Sequence, residues 1–116
     1  MGIARKYRLN SRKLFKMVYE EGKVLKSRLF VVYFVPIDKG PKVAIVVSKK
    51  FGKAVRRNKL KRRIREIIRR HLPLLRHAVI VLPRMKAKNI SFWDLKKDLD
   101  RLLSAIEKWD VEYEGF

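Results

Sequence analysis

The chain has 116 residues, a formal net charge of +20 and no cysteine. Its length allows one domain with a modest core, the absence of cysteine excludes disulfides and thiolate metal sites, and no apolar run is long enough to cross a bilayer. No secretory signal opens the sequence, so we expect a cytoplasmic protein without a membrane partner. A charge this high is typical of proteins that bind polyanions.

The charge is unevenly distributed along the chain. Residues 94–116 hold four basic and seven acidic side chains, whereas the remainder carries a net charge of +23. A hydrophobic content of 47% is typical of a folded domain rather than of a disordered basic tail. We interpret residues 1–116 as a single nucleic-acid-binding domain, with a basic N-terminal arm over residues 1–10 and an acidic tail over residues 110–116.

The first predicted element is a short amphipathic helix. Ser11 can cap its N-terminus, and the helix is expected to end at Glu21 with Gly22 in the position that follows a helix. Phe15 and Tyr19 are four residues apart and form one of two adjacent apolar ridges. One ridge can pack inward while the other is left as a platform.

Strands follow the first helix. Residues 23–26 form a short candidate strand, and residues 28–36 are rich in β-branched and aromatic side chains, as strands are. Residues 42–48 are the next predicted strand. Because the segment between them is short and contains glycine and proline, we expect residues 28–36 and 42–48 to pair as a hairpin.

Residues 48–71 contain twelve Lys or Arg and a single acid. Apolar side chains recur there with helical spacing and predict a buried stripe: Leu60, Ile64, Ile67 and Ile68. The opposite side of the same helix carries an amide and three guanidinium groups: Asn58, Arg62, Arg65 and Arg69, with Lys61 at the shoulder. A solvated helix face normally mixes both signs of charge, whereas this one repels itself unless a polyanion is bound. The pattern predicts contact with nucleic acid.

The C-terminal part adds one strand and one helix. Residues 78–82 are entirely apolar and are the expected centre of a sheet, and residues 83–89 form another basic loop. Ser91 with Asp94 resembles a capping box in front of a last amphipathic helix. The element order αβββαβα predicts an α+β fold, with helices packed on a small sheet.

Catalytic side chains are not suggested by the sequence. A metal-dependent nuclease needs clustered carboxylates, but residues 39–65 contain no acid, and most acids lie interspersed with bases on the last helix and in the tail. His71 and His77 flank Pro73, and we favour helix-terminal and loop roles for them over acid–base catalysis. We therefore expect neither a catalytic residue nor a metal site in the protein.

Five aromatic residues fall on the first helix and the aromatic-rich strand. Phe30 and Phe34 are expected in the core. Phe15, Tyr19 and Tyr33 are the better candidates for an exposed cleft, since single-stranded nucleic acid is held by aromatic platforms with cations at their rim. A core role for these three residues remains the alternative.

With these residues in view, the chain resembles the bacterial ribonuclease P protein subunit. The signature of that family, from the strand end into the basic helix, is matched by Lys49, Lys50, Gly52, Ala54, Val55, Arg57, Asn58, Lys61, Arg62, Ile64 and Arg65. The resemblance extends to Arg8 and Leu9 before the first helix, to the helix with Phe15 and Tyr19, and to the segments FVVYF and AVIVLPR. Together these parts make up most of the chain. Lys59 departs from it, because the family often has arginine there and lysine loses the bidentate geometry.

The resemblance implies more than composition does. It implies a two-layer αβ sandwich of order αβββαβα with a left-handed βαβ crossover, like the second domain of a small-subunit ribosomal protein. The basic helix and its preceding turn would face the catalytic RNA through Lys49, Lys50, Lys53, Arg56, Arg57, Asn58, Lys61, Arg62, Arg65 and Arg69. The 5′ leader of precursor tRNA would lie in a cleft formed by Phe15, Tyr19, Tyr33 and Arg8. The RNA subunit and the Mg²⁺ ions that it binds would perform the hydrolysis, with no cofactor in the protein.

The sequence thus predicts an RNA-binding subunit of a ribozyme endonuclease that removes the 5′ leader of precursor tRNA. The alternative is a ribosomal or general RNA-binding protein without a ribozyme partner, which would need the basic helix but no aromatic cleft. An independent nuclease would cleave RNA without an RNA partner. A DNA-binding protein is less favoured, because the helix is basic over too much of its circumference to leave an obvious base-reading edge.

Overall fold

The computed structural model describes residues 3–113 and has the predicted order αβββαβα. The helices are α1 (Arg12–Glu21), α2 (Ala54–Arg69) and α3 (Phe92–Tyr113). The strands are β1 (Lys23–Lys26), β2 (Phe30–Pro36), β3 (Lys42–Ile45) and β4 (His77–Pro83). Helix α3 therefore includes the first part of the segment expected as an acidic tail, and residues 114–116 lie outside the described residues. The α+β class is confirmed.

The helix ends follow the local signals in the sequence. Ser11 and Ser91 each accept a hydrogen bond from the backbone N–H three residues later, at 3.1 and 3.2 Å, as N-caps do. Gly22 has a φ of −72°, so its role is not a left-handed turn. A Cβ at this position would lie 2.3 Å from the carbonyl oxygen of Val18 and 3.0 Å from that of Phe34. Glycine is required because the end of α1 lies directly against β2.

The sheet has the strand order β1-β2-β4-β3. Strand β2 pairs antiparallel with β1 and β4, and β3 pairs parallel with β4. The predicted hairpin between residues 28–36 and 42–48 is therefore wrong, since β4 lies between those two strands. The reason is the composition of β4, which is almost completely buried and gains most from a central place with neighbours on both edges and helices on both faces.

The β3–α2–β4 connection is a left-handed crossover, which is rare. Val81 in β4 packs with the α2 and α3 core, and its carbonyl oxygen accepts a hydrogen bond from Val46, just after β3, at 3.0 Å. For L-residues viewed from the side-chain face with the strand running upward, the N–H and C=O of that same residue point to the right. Seen from α2, β3 thus lies to the right of β4, and the chain crosses in front from right to left. This is the left-handed crossover that the resemblance implied, against the usual preference.

Helices cover the two faces of the sheet unequally. Helices α2 and α3 pack on one face, over a core that includes Phe30, Phe34, Ile64, Ile67, Ile68, Leu95, Leu99 and Leu103. Helix α1 packs on the other face through Val18, against Ala78 and Ile80 of β4. The rest of that face is not covered, and Val24 and Val46 are 40% and 37% exposed there.

The N-terminal arm docks on the free edge of β3. Ile3 and Leu9 are buried, the N–H of Leu9 donates to the carbonyl oxygen of Val43 at 2.9 Å, and Arg8 forms a parallel bridge with Val43. The arm thus extends the sheet beyond β3 and lies beside α2. None of the helices within residues 3–113 combines the length and apolar character that crossing a membrane requires.

Candidate nucleic-acid interface

Helix α2 is held by its apolar stripe and presents its cations outward. Ile64, Ile67 and Ile68 are at most 1% exposed, and Leu60 is half-buried. The opposite side is exposed at Asn58, Arg62 and Arg69, whereas Arg65 on that side and Lys61 on the shoulder are half-buried. Arg69 lies 3.4 Å from Glu66, the one acid of the helix, in an exposed pair of little energetic value. The orientation of α2 is the one that the sequence predicted.

The turn before α2 is held by local hydrogen bonds and by one buried side chain. The Ser48 hydroxyl accepts a hydrogen bond from the N–H of Lys50 at 3.2 Å, Phe51 is buried, and Gly52 has a φ of 112°, a left-handed value that favours glycine. The Arg57 Nε donates to the Gly52 carbonyl oxygen at 3.1 Å. Three residues predicted to contact RNA lie exposed on this turn: Lys49, Lys50 and Lys53.

One flank of α2 forms a groove with the N-terminal arm, which we call the arm groove. It has a volume of about 460 Å³ and is lined by Lys61 and Arg65 of α2, by Arg8 and Asn10 of the arm, and by β3. The Arg8 Nε donates to the carbonyl oxygen of Ile3 at 3.1 Å, which holds its guanidinium group beside the helix. The groove places cations from two distant segments of the chain along one surface.

Arg8 lines the arm groove, and it also lines a smaller pocket with Ser11 and Leu14 at the start of α1. Its bridge partner Val43 packs with the α2 and α3 core, and paired residues of neighbouring strands point to the same face. The predicted cleft residues Phe15, Tyr19 and Tyr33 belong to the face that α1 covers. The structure groups Arg8 with Lys61 and Arg65 because the arm docks on β3, at the edge of the sheet away from β2.

The three aromatic residues of the predicted cleft do lie together. The rings of Tyr19 and Tyr33 stack with centroids 4.6 Å apart, and the ring centroids of Phe15 and Tyr19 are 6.2 Å apart. Tyr19 is 46% exposed, and Phe15 and Tyr33 are half-buried. Burial, and then its contact with Tyr19, raises the pKa of Tyr33 above its ordinary value of 10.0. Phe30 and Phe34 are at most 1% exposed and belong to the core.

The sheet supplies aliphatic residues beside these rings. Tyr33 lies in register with Val24 of β1 and Ile80 of β4, and the next row on the same face contains Val31 and Leu82. The cleft predicted from the sequence did not include this aliphatic surface. The signal was available, because residues two apart on a strand share a face and Val31 is two residues from Tyr33.

The histidines have structural partners. His71 lies just beyond α2, with its Nε2 2.8 Å from Asp100 and its Nδ1 2.5 Å from Glu107, both on α3. His77 is buried and its ring packs edge-on to Phe34. Over residues 3–113, no group of three or more His, Asp or Glu side chains is arranged to hold a metal ion. His71 thus ties α2 to α3, near the helix terminus as expected.

Comparisons with known proteins point to one family. The family model described as Ribonuclease P matches residues 3–107. The ribonuclease P protein component of Thermotoga maritima is 40% identical over 113 residues, which cover 90% of this chain and 96% of that protein. The solved structure of the Thermotoga maritima RNase P protein superposes with a TM-score of 0.77, over 85% of this chain and 96% of that one, at 40% identity. The Staphylococcus aureus RNase P protein gives a TM-score of 0.76 at 33% identity, over 92% and 94% of the two chains.

Proposed function

Because the chain belongs to the ribonuclease P protein component family, we propose that it binds the catalytic RNA of ribonuclease P and the 5′ leader of precursor tRNA. It thereby assists the endonucleolytic step that forms the mature 5′ end of tRNA. The hydrolysis itself belongs to the RNA and to the Mg²⁺ ions that the RNA binds. The protein contributes binding, orientation and neutralisation of phosphate charge.

The observation that supports this proposal is that a basic helix surface and a stacked aromatic pair lie on one small fold. The outward side of α2 carries Asn58, Arg62 and Arg69 on a helix whose position is fixed by a buried stripe. The stacked pair of Tyr19 and Tyr33 lies on the opposite face of the sheet. A chain with both surfaces can hold a folded RNA on one side and a single strand on the other.

The basic surface suits the backbone of a structured RNA. Arginine forms bidentate hydrogen bonds with phosphate oxygens, and contacts of this kind position a protein without reading sequence. The turn at Gly52 exposes Lys50 and Lys53, and the outward side of the helix that follows it exposes Arg62. This surface is the proposed contact with the catalytic RNA.

The aromatic cleft suits the leader. A single strand offers unpaired bases, and each base that stacks on an aromatic ring contributes about 1–3 kcal/mol with little dependence on sequence. Mature tRNA has no leader and cannot make this contact. The cleft therefore favours binding of substrate over binding of product.

The experiment is cleavage of a precursor tRNA by bacterial ribonuclease P RNA at limiting Mg²⁺, with and without the purified chain. We expect strong stimulation by the protein and a progressive loss of that stimulation as the leader is shortened. The matched control is mature tRNA, whose binding to the complex should change little when the protein is added.

Three outcomes would contradict the proposal or a part of it. Absence of stimulation while the chain still binds RNA would indicate a general RNA-binding protein. Equal stimulation for long and trimmed leaders would retain the ribozyme partner and exclude the cleft as the leader site. Cleavage by the protein alone would show that the chemistry does not belong to the RNA.

A further inference from the structure

The second flank of α2 forms another groove, which we call the loop groove. It has a volume of about 210 Å³ and lies between α2 and the segment that follows β4. Arg56, Lys59 and Arg63 line it from the helix. At about 100° per residue, these three side chains form one row on the flank opposite to Lys61 and Arg65. Helix α2 is thus basic on both flanks, and each flank borders a groove.

The far wall of the loop groove is anchored to the fold. Residues Met85–Ala87 form a single 3-10 turn in which the N–H of Ala87 donates to Arg84 at 2.8 Å, and Ala87 is buried. Asn89 has a φ of 63°, a left-handed conformation that asparagine adopts more readily than most residues. This turn holds Lys88 and Asn89 at the edge of the groove, facing the helix. The groove therefore has two preformed walls.

The side chains that line the loop groove favour an anionic ligand. Four cations line the groove, Arg56, Lys59, Arg63 and Lys88, and the other lining residues include no acid. Within residues 3–113, none of these four cations forms an ion pair with an acidic side chain. Uncompensated cations converging from two elements attract phosphate strongly, and arginine adds bidentate geometry.

The size of the groove favours a polymer over a small metabolite. Pockets for small ligands are typically about 300–1,000 Å³, and the loop groove is smaller. The row from Arg56 to Arg63 extends about 10 Å along the helix axis, at about 1.5 Å per residue. This row is longer than one phosphate group and matches a chain of successive phosphates. Arg56 also directly precedes Arg57 and Asn58, so the groove continues the surface already assigned to RNA.

We propose that the loop groove binds the sugar-phosphate backbone of one segment of the RNA partner, and that the arm groove binds that of another. In this arrangement α2 lies between two RNA segments, with one segment along each basic flank. The inference rests on the proposed function, since it requires that the chain binds the catalytic RNA. It adds Lys59, Arg63, Lys88 and Asn89 to the surface, of which the last two lie outside the basic helix.

The test compares three double variants of the full chain with equal loss of charge. Lys59→Gln with Arg63→Gln alters the loop groove, Lys61→Gln with Arg65→Gln alters the arm groove, and Lys97→Gln with Lys108→Gln on exposed positions of α3 is the control. Each is bound to bacterial ribonuclease P RNA over a series of salt concentrations and probed by hydroxyl-radical footprinting. Thermal unfolding measured by circular dichroism checks that each variant is folded.

We expect the loop-groove variant to lose protection at one group of nucleotides and the arm-groove variant at a different group. Each should lower the slope of log K against log salt by about 1.4–1.8, because each phosphate contact contributes about 0.7–0.9. The control should keep the wild-type slope and footprint.

Loss of the same nucleotides in both groove variants would overturn the proposal, because α2 would then contact a single segment. A loop-groove variant that behaves like the control would overturn it as well. In both cases the unaltered chain would still stimulate cleavage, so the proposed function would stand. Failure of the unaltered chain to bind the RNA would overturn both.

Discussion

Tyr19 of α1 stacks on Tyr33 of β2, with ring centroids 4.6 Å apart and ring planes inclined by 19°. One face of the Tyr19 ring is thus covered, while the residue remains 46% exposed. A ring that is already held parallel to a neighbour loses little freedom when a base stacks on its free side. The pair is a preformed platform for an unpaired base.

The first prediction concerns this platform. Tyr19→Ala should weaken binding of leader-bearing precursor tRNA to the reconstituted complex by roughly 5- to 150-fold, since one base stack contributes about 1–3 kcal/mol. Binding of mature tRNA should be unchanged. The measurement is the ratio of the two dissociation constants at fixed salt and Mg²⁺. Trp93→Ala removes another aromatic ring, 72% exposed on α3, and should leave that ratio as it is; an equal effect of both variants would argue against the cleft.

The second prediction concerns the packing of α1 on the sheet. Gly22→Ala would place a Cβ 2.3 Å from the carbonyl oxygen of Val18, and since this atom is backbone, the end of α1 must shift. We expect a loss of about 1–3 kcal/mol in the free energy of unfolding, measured by urea denaturation. Glu21→Ala, at the preceding exposed position, should change it by less than about 0.5 kcal/mol. A neutral Gly22→Ala would show that α1 can move without cost.

The third prediction concerns a buried carboxylate that joins α3 to the start of β2. Asp98 accepts hydrogen bonds from the N–H of Leu29 at 3.2 Å and from the hydroxyl of Ser27. Asp98→Ala leaves these donors without their acceptor and should lower the free energy of unfolding by about 1–3 kcal/mol. The measurement is chemical denaturation at neutral pH.

Arg101→Ala is the control for this effect. Arg101 also pairs with Asp98, at 2.7 Å, but its side chain is 73% exposed, and exposed ion pairs contribute at most about 1 kcal/mol. If both substitutions lowered stability equally, the ion pair rather than the bonds to Ser27 and Leu29 would be responsible.

The fourth prediction concerns pH. Burial raises the pKa of Asp100, but the hydrogen bonds from Lys96 and His71 lower it by more, so the net pKa lies below its ordinary value of 3.8. A carboxylate with a lowered pKa in the folded state contributes stability that is complete above the unfolded value and is lost as the pH falls through the folded one. Asp100→Asn should therefore be less stable than the parent chain at pH 7, and the difference should shrink as the pH falls below about 3.8.

The measurement is the free energy of unfolding from urea denaturation at a series of pH values. Glu20→Gln, which removes an exposed acid of α1, should show no such convergence. A difference between Asp100→Asn and the parent chain that stays constant with pH would indicate a packing role for Asp100 rather than an electrostatic one.

The sequence by itself determined the features that depend on neighbours along the chain. Capping at Ser11 and Ser91, the buried stripe of α2 and the exposure of Asn58 and Arg62 all follow from helical spacing and local hydrogen bonds. The element order and the core positions of Phe30 and Phe34 follow from the same kind of pattern. The signature from Lys49 to Arg65 is also local, and it was sufficient to indicate the family.

Only the tertiary structure decided which segments meet. The short link before β3 favoured a hairpin, but burial of the apolar strand β4 at the centre of the sheet separated β3 from β2. The docking of the arm on β3 placed Arg8 in one groove with Lys61 and Arg65 of α2. The loop groove unites Arg63 with Lys88, which lie on different elements with a strand between them. These outcomes depend on burying apolar surface across the whole fold, and that free energy is not determined by any one local pattern.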